Sequence, residues 1–454
     1  MDAKARADLL REAATRGARY VDGLAARRVA PAPAAVAALE GLAGPLPERG
    51  RAPGEVLRLL DELGSPATVA SAGPRYFGFV TGGVLPAALA ASWLAAAWDQ
   101  NAFSHVSSPV AARLEEITLG WLLNLLHLPA GAAAGFVTGA TMANFTALAA
   151  ARHAVLARAG FDVEAQGLAG APAITVIVGE QVHASVMKVI ALLGLGRERV
   201  VRVAADEQGR LRVDRLPEVA GPTIVLTQAG NVNSGAFDAV GEVCDRVQPA
   251  GAWVHVDGAF GLWAAASPAH RALTAGVERA DSWACDAHKW LNVSYDSGIA
   301  VVRDALRLRA AMSVDASYLH LGDAREPLHY TPESSRRARG VEIWAALASL
   351  GREGVAALVE MNCRQARTVA ARLAAAGHEV LNEVVLNQVL VRFGDDARTR
   401  RVVAAVQAGG ECWCGATEWR GRAAMRVSVS SWATRDEDVE RSVAAILAAA
   451  EQAG

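Results

Sequence analysis

A chain of 454 residues with 52% hydrophobic and 20% charged side chains can bury a core large enough for two or three structural units. Its 45 basic and 47 acidic side chains leave a formal charge of −2, which argues against a nucleic-acid binder or a protein held to an anionic membrane. Five cysteines, an odd number over this length, argue against a disulfide framework and for a reducing compartment.

The chain opens on Met1-Asp2-Ala3-Lys4-Ala5-Arg6 and runs into a charged amphipathic pattern. It lacks the apolar core of a signal peptide, so a cytoplasmic location is expected. Over 7–27, Leu9, Leu10, Ala13, Ala18 and Val21 recur at helical spacing until Pro31 and Pro33. Leu57, Leu60 and Leu63 resume the pattern up to Gly64. Residues 1–72 are therefore expected to form a helical N-terminal segment. The most apolar stretch, 84–98, contains Pro86 and falls short of the roughly 20 residues that a membrane span needs.

From about residue 73 short β-branched runs alternate with alanine-rich helical segments. Strands are expected at 174–178, 200–203, 223–227, 253–256 and 298–302, and a helix at 143–155. The spacing between the strands fits crossover helices, hence an α/β unit over 73–340 with a mainly parallel sheet and helices on both faces. Residues 313–339 carry Pro327, Pro332 and many charges and read as a long loop. Beyond it, helices at 343–350, 355–376 and 436–451 and strands at 384–393 and 425–430 give a small α+β domain over 341–454. Cys412-Trp413-Cys414 sets its thiols too close for the usual zinc spacing, and no metal site is expected.

Three segments carry chemistry. Asp281-Ser282-Trp283-Ala284-Cys285-Asp286-Ala287-His288-Lys289-Trp290-Leu291 sets a lysine in apolar, aromatic surroundings. Such burial is costly, and an amine that loses its proton at reduced cost can attack an aldehyde. The plain alternative is a lysine at a strand end with its ammonium in solvent. Trp253-Val254-His255-Val256-Asp257-Gly258-Ala259-Phe260-Gly261 reads as a buried strand ending in an acid, at the sheet edge where α/β proteins bind ligands. A turn or capping aspartate is the alternative. Val182-His183-Ala184-Ser185 follows an apolar run and offers an imidazole that can lie against a planar ring, or simply start a helix.

In this order the segments resemble group II amino-acid decarboxylases, the aromatic-L-amino-acid decarboxylase-like enzymes that use pyridoxal 5′-phosphate (PLP), within the fold-type I or aspartate aminotransferase-like superfamily. The resemblance extends to Pro74-Arg75-Tyr76-Phe77-Gly78-Phe79, Ser108-Pro109-Val110-Ala111 with Leu114-Glu115, Thr138-Gly139-Ala140-Thr141-Met142-Ala143-Asn144 and Ala229-Gly230-Asn231-Val232-Asn233-Ser234-Gly235. It implies a seven-stranded-type sheet, an N-terminal arm packed across a partner copy, and a homodimer with the active site at the interface.

The resemblance also implies roles. Lys289 would hold the cofactor aldehyde as an imine, Asp257 would pair with the pyridine N–H, and His183 would stack on the ring. Ala140 and Thr141 would contact the phosphate at a helix N-terminus. Asn231, Ala259, Asp286 and His288 would complete the cofactor site, although a carboxylate at 286 would repel phosphate. The reaction expected is decarboxylation of an L-amino acid, with Tyr330 returning a proton to Cα and Tyr318 and His320 as competitors for that role. Phe79, Phe103 and His105 would line the substrate entrance and favour an aromatic side chain, or equally be core packing. If the tyrosine is displaced, oxidation to an aldehyde becomes the alternative. Arg426 on a late strand could grip a substrate carboxylate and favour transamination, or be structural. Arg336, Arg337 and Arg339 could be a solvated face or meet the phosphate or a partner subunit.

Overall fold

The computed structural model describes residues 1–313 and 325–453, so Tyr318 and His320 lie outside the described residues. The chain divides into two compact units, one of Gly82–Arg367 with Asn382–Val389, the other of Met1–Thr81, Thr368–Leu381 and Leu390–Gly454. This departs from the expected boundaries at 72/73 and 340/341. Arg75 belongs with the smaller unit because its guanidinium, 2% exposed, donates to the carbonyls of Ala25 (2.7 Å) and Glu411 and pairs with Asp438 at 3.2 Å. The first part of helix Gly340–Ala375 belongs with the larger unit, where the Trp290 indole donates to Asn362 at 2.9 Å.

The larger unit is built on seven strands: β1 (Ala133–Val137), β2 (Thr175–Gly179), β3 (Val201–Val203), β4 (Thr223–Gln228), β5 (Trp253–Asp257), β6 (Ser282–Asp286) and β7 (Gly298–Val302). They lie in the order β1-β7-β6-β5-β4-β2-β3. The five from β3 to β6 run parallel, and β7 is antiparallel to both its neighbours. This is the expected mainly parallel sheet. The central strands β4 to β7 are buried along their whole length, which is why β4, β5 and β7 read as largely apolar runs. Two strands escaped the sequence reading. β1, Ala-Ala-Gly-Phe-Val, has little β-propensity of its own and takes its form from pairing with β7. β6 begins with Ser282 and ends with Asp286, so polar ends masked its apolar middle.

Helix Ala140–Arg158 packs on this sheet. Its Ala147, Ala150, Ala151 and Ala154 are fully buried, and small side chains bring the backbone close to Val176, Ile224, Leu226 and Trp253. Burial of each larger aliphatic residue in this cluster, such as Leu148, contributes about 1.5–3 kcal/mol. The helix start is set by one close approach. A Cβ on Gly298 would lie 2.4 Å from the Gly139 backbone, so only glycine at the head of β7 lets the turn before the helix sit there.

The expected arginine cluster is a set of internal ion pairs. Arg336, 1% exposed at its side chain, meets buried Glu115 at 2.7 Å, and Arg325 reaches the same carboxylate at 3.2 Å. Arg339 pairs with Asp296 at 3.0 Å and Arg337 with Glu342 at 2.5 Å. Helix Gly340–Ala375 breaks at Gly351 (φ 61°), between the two helices expected there.

The smaller unit contains helices Ala3–Gly23, capped by Asp2, and Pro53–Ala67, opened by proline, tied by Arg16 to Asp61 at 2.7 Å. Its sheet pairs Tyr76–Phe77, Trp413–Trp419 and Arg422–Ser428, and Val391 and Arg392 pair with Val380 and Glu379. The strand expected at 384–393 shortens to Gln388–Arg392 because Val384 turns to φ 49°. Among the described residues no helix is long and apolar enough to cross a membrane.

Candidate active site

Parallel register brings the carboxyl ends of β4, β5 and β6 together. Gln228 lies opposite Asp257, and Asp257 opposite Ala284. There a cavity of about 340 Å³ opens, lined by Thr138, Gly139, Ala140, Thr141, His183, Ser185, Gln228, Gly230, Val232, Asp257, Ala259, Phe260, Asp286, His288 and Lys289. Eight of the sequence-predicted residues therefore converge on one space: Ala140, Thr141, His183, Asp257, Ala259, Asp286, His288 and Lys289.

β6 ends at Asp286, and the chain turns. The N–H groups of Ala287 and His288 both donate to the Ser297 carbonyl, at 3.1 and 3.2 Å. The Ser297 N–H in turn donates to His288 Nδ1 at 3.1 Å. That bond leaves the imidazole proton on Nε2, and burial lowers the pKa of the ring. The next residue, Lys289, lies with Nζ 3.0 Å from Asp286 Oδ2. Its carbonyl faces Gly82, where a Cβ would stand 1.8 Å from the oxygen. Glycine is required there for the lysine turn to seat.

Burial alone lowers the Lys289 pKa, but the charges of Asp286 and Asp257 outweigh it and hold the group above its ordinary value. This corrects the expectation of an easily deprotonated amine. The lysine sits as an ammonium between two carboxylates.

Asp286 does more than pair with Lys289. Its Oδ1 accepts the Ala140 N–H at 2.5 Å, so it caps helix Ala140–Arg158 across the sheet. Asp286 thus has partners of its own, a helix N-terminus and an ammonium, and takes the Ala140 N–H that was expected to contact the phosphate. Asp257 is 7% exposed. Its Oδ1 accepts from Ala259 N at 3.2 Å and its Oδ2 from Asn144 Nδ2 at 3.4 Å. Both of these donors are neutral. His183 caps helix Ala184–Leu192, with Nδ1 accepting from Ser185 N at 3.3 Å, and its ring lines the cavity. His183 therefore starts a helix and also lines the cavity.

Other predicted residues stand elsewhere. Asn231 turns its Oδ1 to the N–H groups of Asn233 and Ser234, at 2.9 and 3.2 Å, and is not among the lining residues, although Gly230 and Val232 are. Tyr330 lies in the core cluster with Ala133, Leu148 and Trp253, with the Arg325 guanidinium 4.3 Å from its ring centre. The phenol is thus packed beside the sheet and does not line the cavity. Phe79 belongs to the smaller unit, 62% exposed, with its ring 5.3 Å from that of Trp413. Phe103 and His105 serve by their backbones: the Phe103 carbonyl accepts Leu328 N, and His105 N donates to Glu326 at 2.7 Å. Arg426 is half-buried in the smaller unit, where loss of water pushes its pKa down to about 10.

Sequence reasoning missed Gln228, Ser185, Val232 and Phe260 as lining residues. Gln228 had a usable signal, since it ends an apolar run beside the run that ends in Asp257. The groups present fit PLP. A lysine that gives up its proton can condense with an aldehyde, a buried carboxylate with neutral donors suits a ring N–H⁺, an imidazole can lie over the ring, and the first turn of helix Ala140–Arg158, beyond the N–H taken by Asp286, can receive a phosphate.

The comparisons with known proteins agree. Residues 65–393 match the pyridoxal-dependent decarboxylase conserved domain. The L-2,4-diaminobutyrate decarboxylase of Rhizobium meliloti is 30% identical over 426 residues, covering 88% of this chain and 83% of that protein. An aromatic-L-amino-acid decarboxylase of Bacillus atrophaeus is 28% identical over 362 residues, 77% of this chain and 73% of that one. The crystal structure of Oryza sativa TDC with PLP and tryptamine shares the fold, with a TM-score of 0.90 at 23% identity over 100% of this chain and 99% of that one. The chain belongs to the pyridoxal-dependent decarboxylase family and has the PLP fold type I. It is a PLP-dependent carboxy-lyase that acts on an amino acid.

Proposed function

We propose that this chain decarboxylates an aromatic L-amino acid to the amine and CO₂, with Lys289 as the residue that holds the cofactor. PLP supplies an aldehyde to the lysine amine and a ring that accepts the electron pair left at Cα. The observation that carries the assignment is the Lys289–Asp286–Asp257 arrangement at the ends of β5 and β6. Asp257 keeps a ring N–H charged, His183 covers one face, and His288 presents its Nε2 proton beside Lys289. Asp286 holds the amine in place and anchors the helix whose start, at Ala140 and Thr141, would hold the phosphate. Among the described residues, no arginine lines the cavity, so a substrate side-chain carboxylate finds no guanidinium partner there. That supports a neutral side chain, and the Bacillus atrophaeus relative supports an aromatic one.

The protein acts as a homodimer in the cytoplasm. Support for the dimer comes from helix Pro86–Trp98, which leaves Trp93 (43%), Leu94 (55%) and Trp98 (42%) exposed on the larger unit. Light scattering that shows a monomer overturns this.

A protein imine absorbs near about 420 nm and loses the band on borohydride reduction. The loaded protein shows this behaviour, and Lys289→Ala abolishes both band and activity. A panel of L-amino acids with CO₂, amine, aldehyde and peroxide measured identifies the reaction. Turnover of diaminobutyrate in preference to aromatic substrates overturns the substrate assignment. A second reading rests on the placement of Tyr330 in the core. If no other acid returns the proton to Cα, O₂ would take up two electrons and water would supply the carbonyl oxygen, so that amino acid, O₂ and water give aldehyde, ammonia, CO₂ and hydrogen peroxide. Stoichiometric peroxide is the outcome that selects it.

A further inference from the structure

A chain of buried hydrogen bonds runs from the core to the back of Asp257. The Trp253 indole donates to Ser282 Oγ at 2.8 Å. Ser282 Oγ lies 2.8 Å from His255 Nδ1, His255 Nε2 lies 2.7 Å from Asn144 Oδ1, and Asn144 Nδ2 donates to Asp257 Oδ2 at 3.4 Å. Asn144, His255 and Ser282 are each fully buried, and Trp253 nearly so.

The donor roles in this chain follow from its two ends. An indole N–H can only donate, so Ser282 Oγ accepts it and turns its own hydrogen to His255 Nδ1. At the other end Asp257 accepts, so Asn144 presents its amide nitrogen to the carboxylate and its oxygen to the histidine. His255 Nε2 must then carry the proton. Both ends demand the same neutral tautomer, Nδ1 accepting and Nε2 donating. Burial, which pushes the His255 pKa down to about 3, keeps the ring in that form. Every dipole in the row points its positive end toward Asp257, and such rows reinforce one another in a low-dielectric interior.

We propose that Asn144, His255 and Ser282 are positioning residues that fix Asp257 as an oriented carboxylate for the cofactor's ring nitrogen. The inference rests on the proposed pairing of Asp257 with that nitrogen. The row lies on the core side of Asp257, while the cavity lies on the other, so none of the three touches the cofactor. The row gives Asp257 a neutral hydrogen-bond donor and adds no cation of its own to the Lys289 ammonium already in the site.

The test compares affinities. Wild-type, D257A, N144A and S282A chains are loaded with PLP and, separately, with its 1-carba analogue, in which C–H replaces the ring nitrogen. The ratio of the two dissociation constants isolates what the nitrogen contributes. Wild type prefers PLP, and D257A loses the preference. N144A shrinks it about five- to tenfold and S282A, two links further back, about two- to threefold. A merely structural role weakens both cofactors alike and leaves the ratio at the wild-type value, which overturns the relay. If N144A does not fold, S282A reads the same ratio without touching the helix. A D257A ratio equal to wild type overturns instead the pairing on which the relay rests.

Discussion

Two buried anionic centres in the larger unit are built from the same kind of side chain and behave oppositely. Glu115 is 1% exposed and is matched by two guanidinium groups, Arg325 at 3.2 Å and Arg336 at 2.7 Å. Asp257 is 7% exposed and is held by two neutral donors, Ala259 N and Asn144 Nδ2. The first centre is closed, with its charge answered by cations of the chain itself. The second keeps its charge directed at a cavity. A buried carboxylate hydrogen-bonded by neutral donors and facing a single lysine ammonium retains the capacity to bind a cofactor cation, and that separates a reactive centre from a structural one.

The largest expected contrast is between substitutions at the two centres. Asp257→Ala lowers kcat by about a thousandfold, about 4 kcal/mol of barrier, with little change in melting temperature. Glu115→Ala strands two buried guanidinium groups and costs about 3 kcal/mol of stability, with the kcat of the surviving folded protein retained. Steady-state kinetics beside denaturant unfolding check both. A stable, inactive Glu115→Ala protein would erase the distinction.

A third buried acid tests whether dipoles alone hold a charge at depth. Burial pushes Asp238 up to about 6, against the N–H groups of Leu211 and Gln228 that its two oxygens accept. A raised folded-state pKa means that this group adds stability below its unfolded value of about 3.8, and that the contribution is lost as pH rises through 6. Unfolding free energies of wild type should exceed those of Asp238→Asn by about 2–3 kcal/mol more at pH 4 than at pH 7. A pH-independent difference sinks the assignment.

The smallest effect concerns Asp286. Asp286→Ala removes the carboxylate that raises the Lys289 pKa, so capture of added PLP by the cofactor-free chain gains rate at neutral pH relative to wild type. It also removes the cap on the Ala140 N–H, worth about 1 kcal/mol. Stopped-flow absorbance across pH 6–9, a range chosen to lie below the pKa of an ordinary lysine, follows the capture rate. An unchanged pH profile shows that Asp286 does not control the amine.

Much of the site was legible because its signals are local. An apolar run that ends in an acid, as at Asp257, declares a strand and its ligand-facing end within ten residues. His183 after one apolar run and Lys289 after another follow the same logic, since a strand's last residue is where a polar group can leave the core. Tyr330 was misplaced for the converse reason. Its neighbours His329 and Thr331 gave no sign that the ring would pack into the core beneath Arg325.

By itself the amino-acid order determined the alternation of strands and helices, the three chemical side chains and their succession, because periodicity and turn residues act over a few positions. Only the tertiary structure decided that Asp286 would cap a helix 146 residues away, that Asn144 would meet His255 across 111, and that the first 81 residues would share a unit with the last stretch. Those choices depend on sheet register and on which buried polar groups find one another, and neither is written in any short window of sequence.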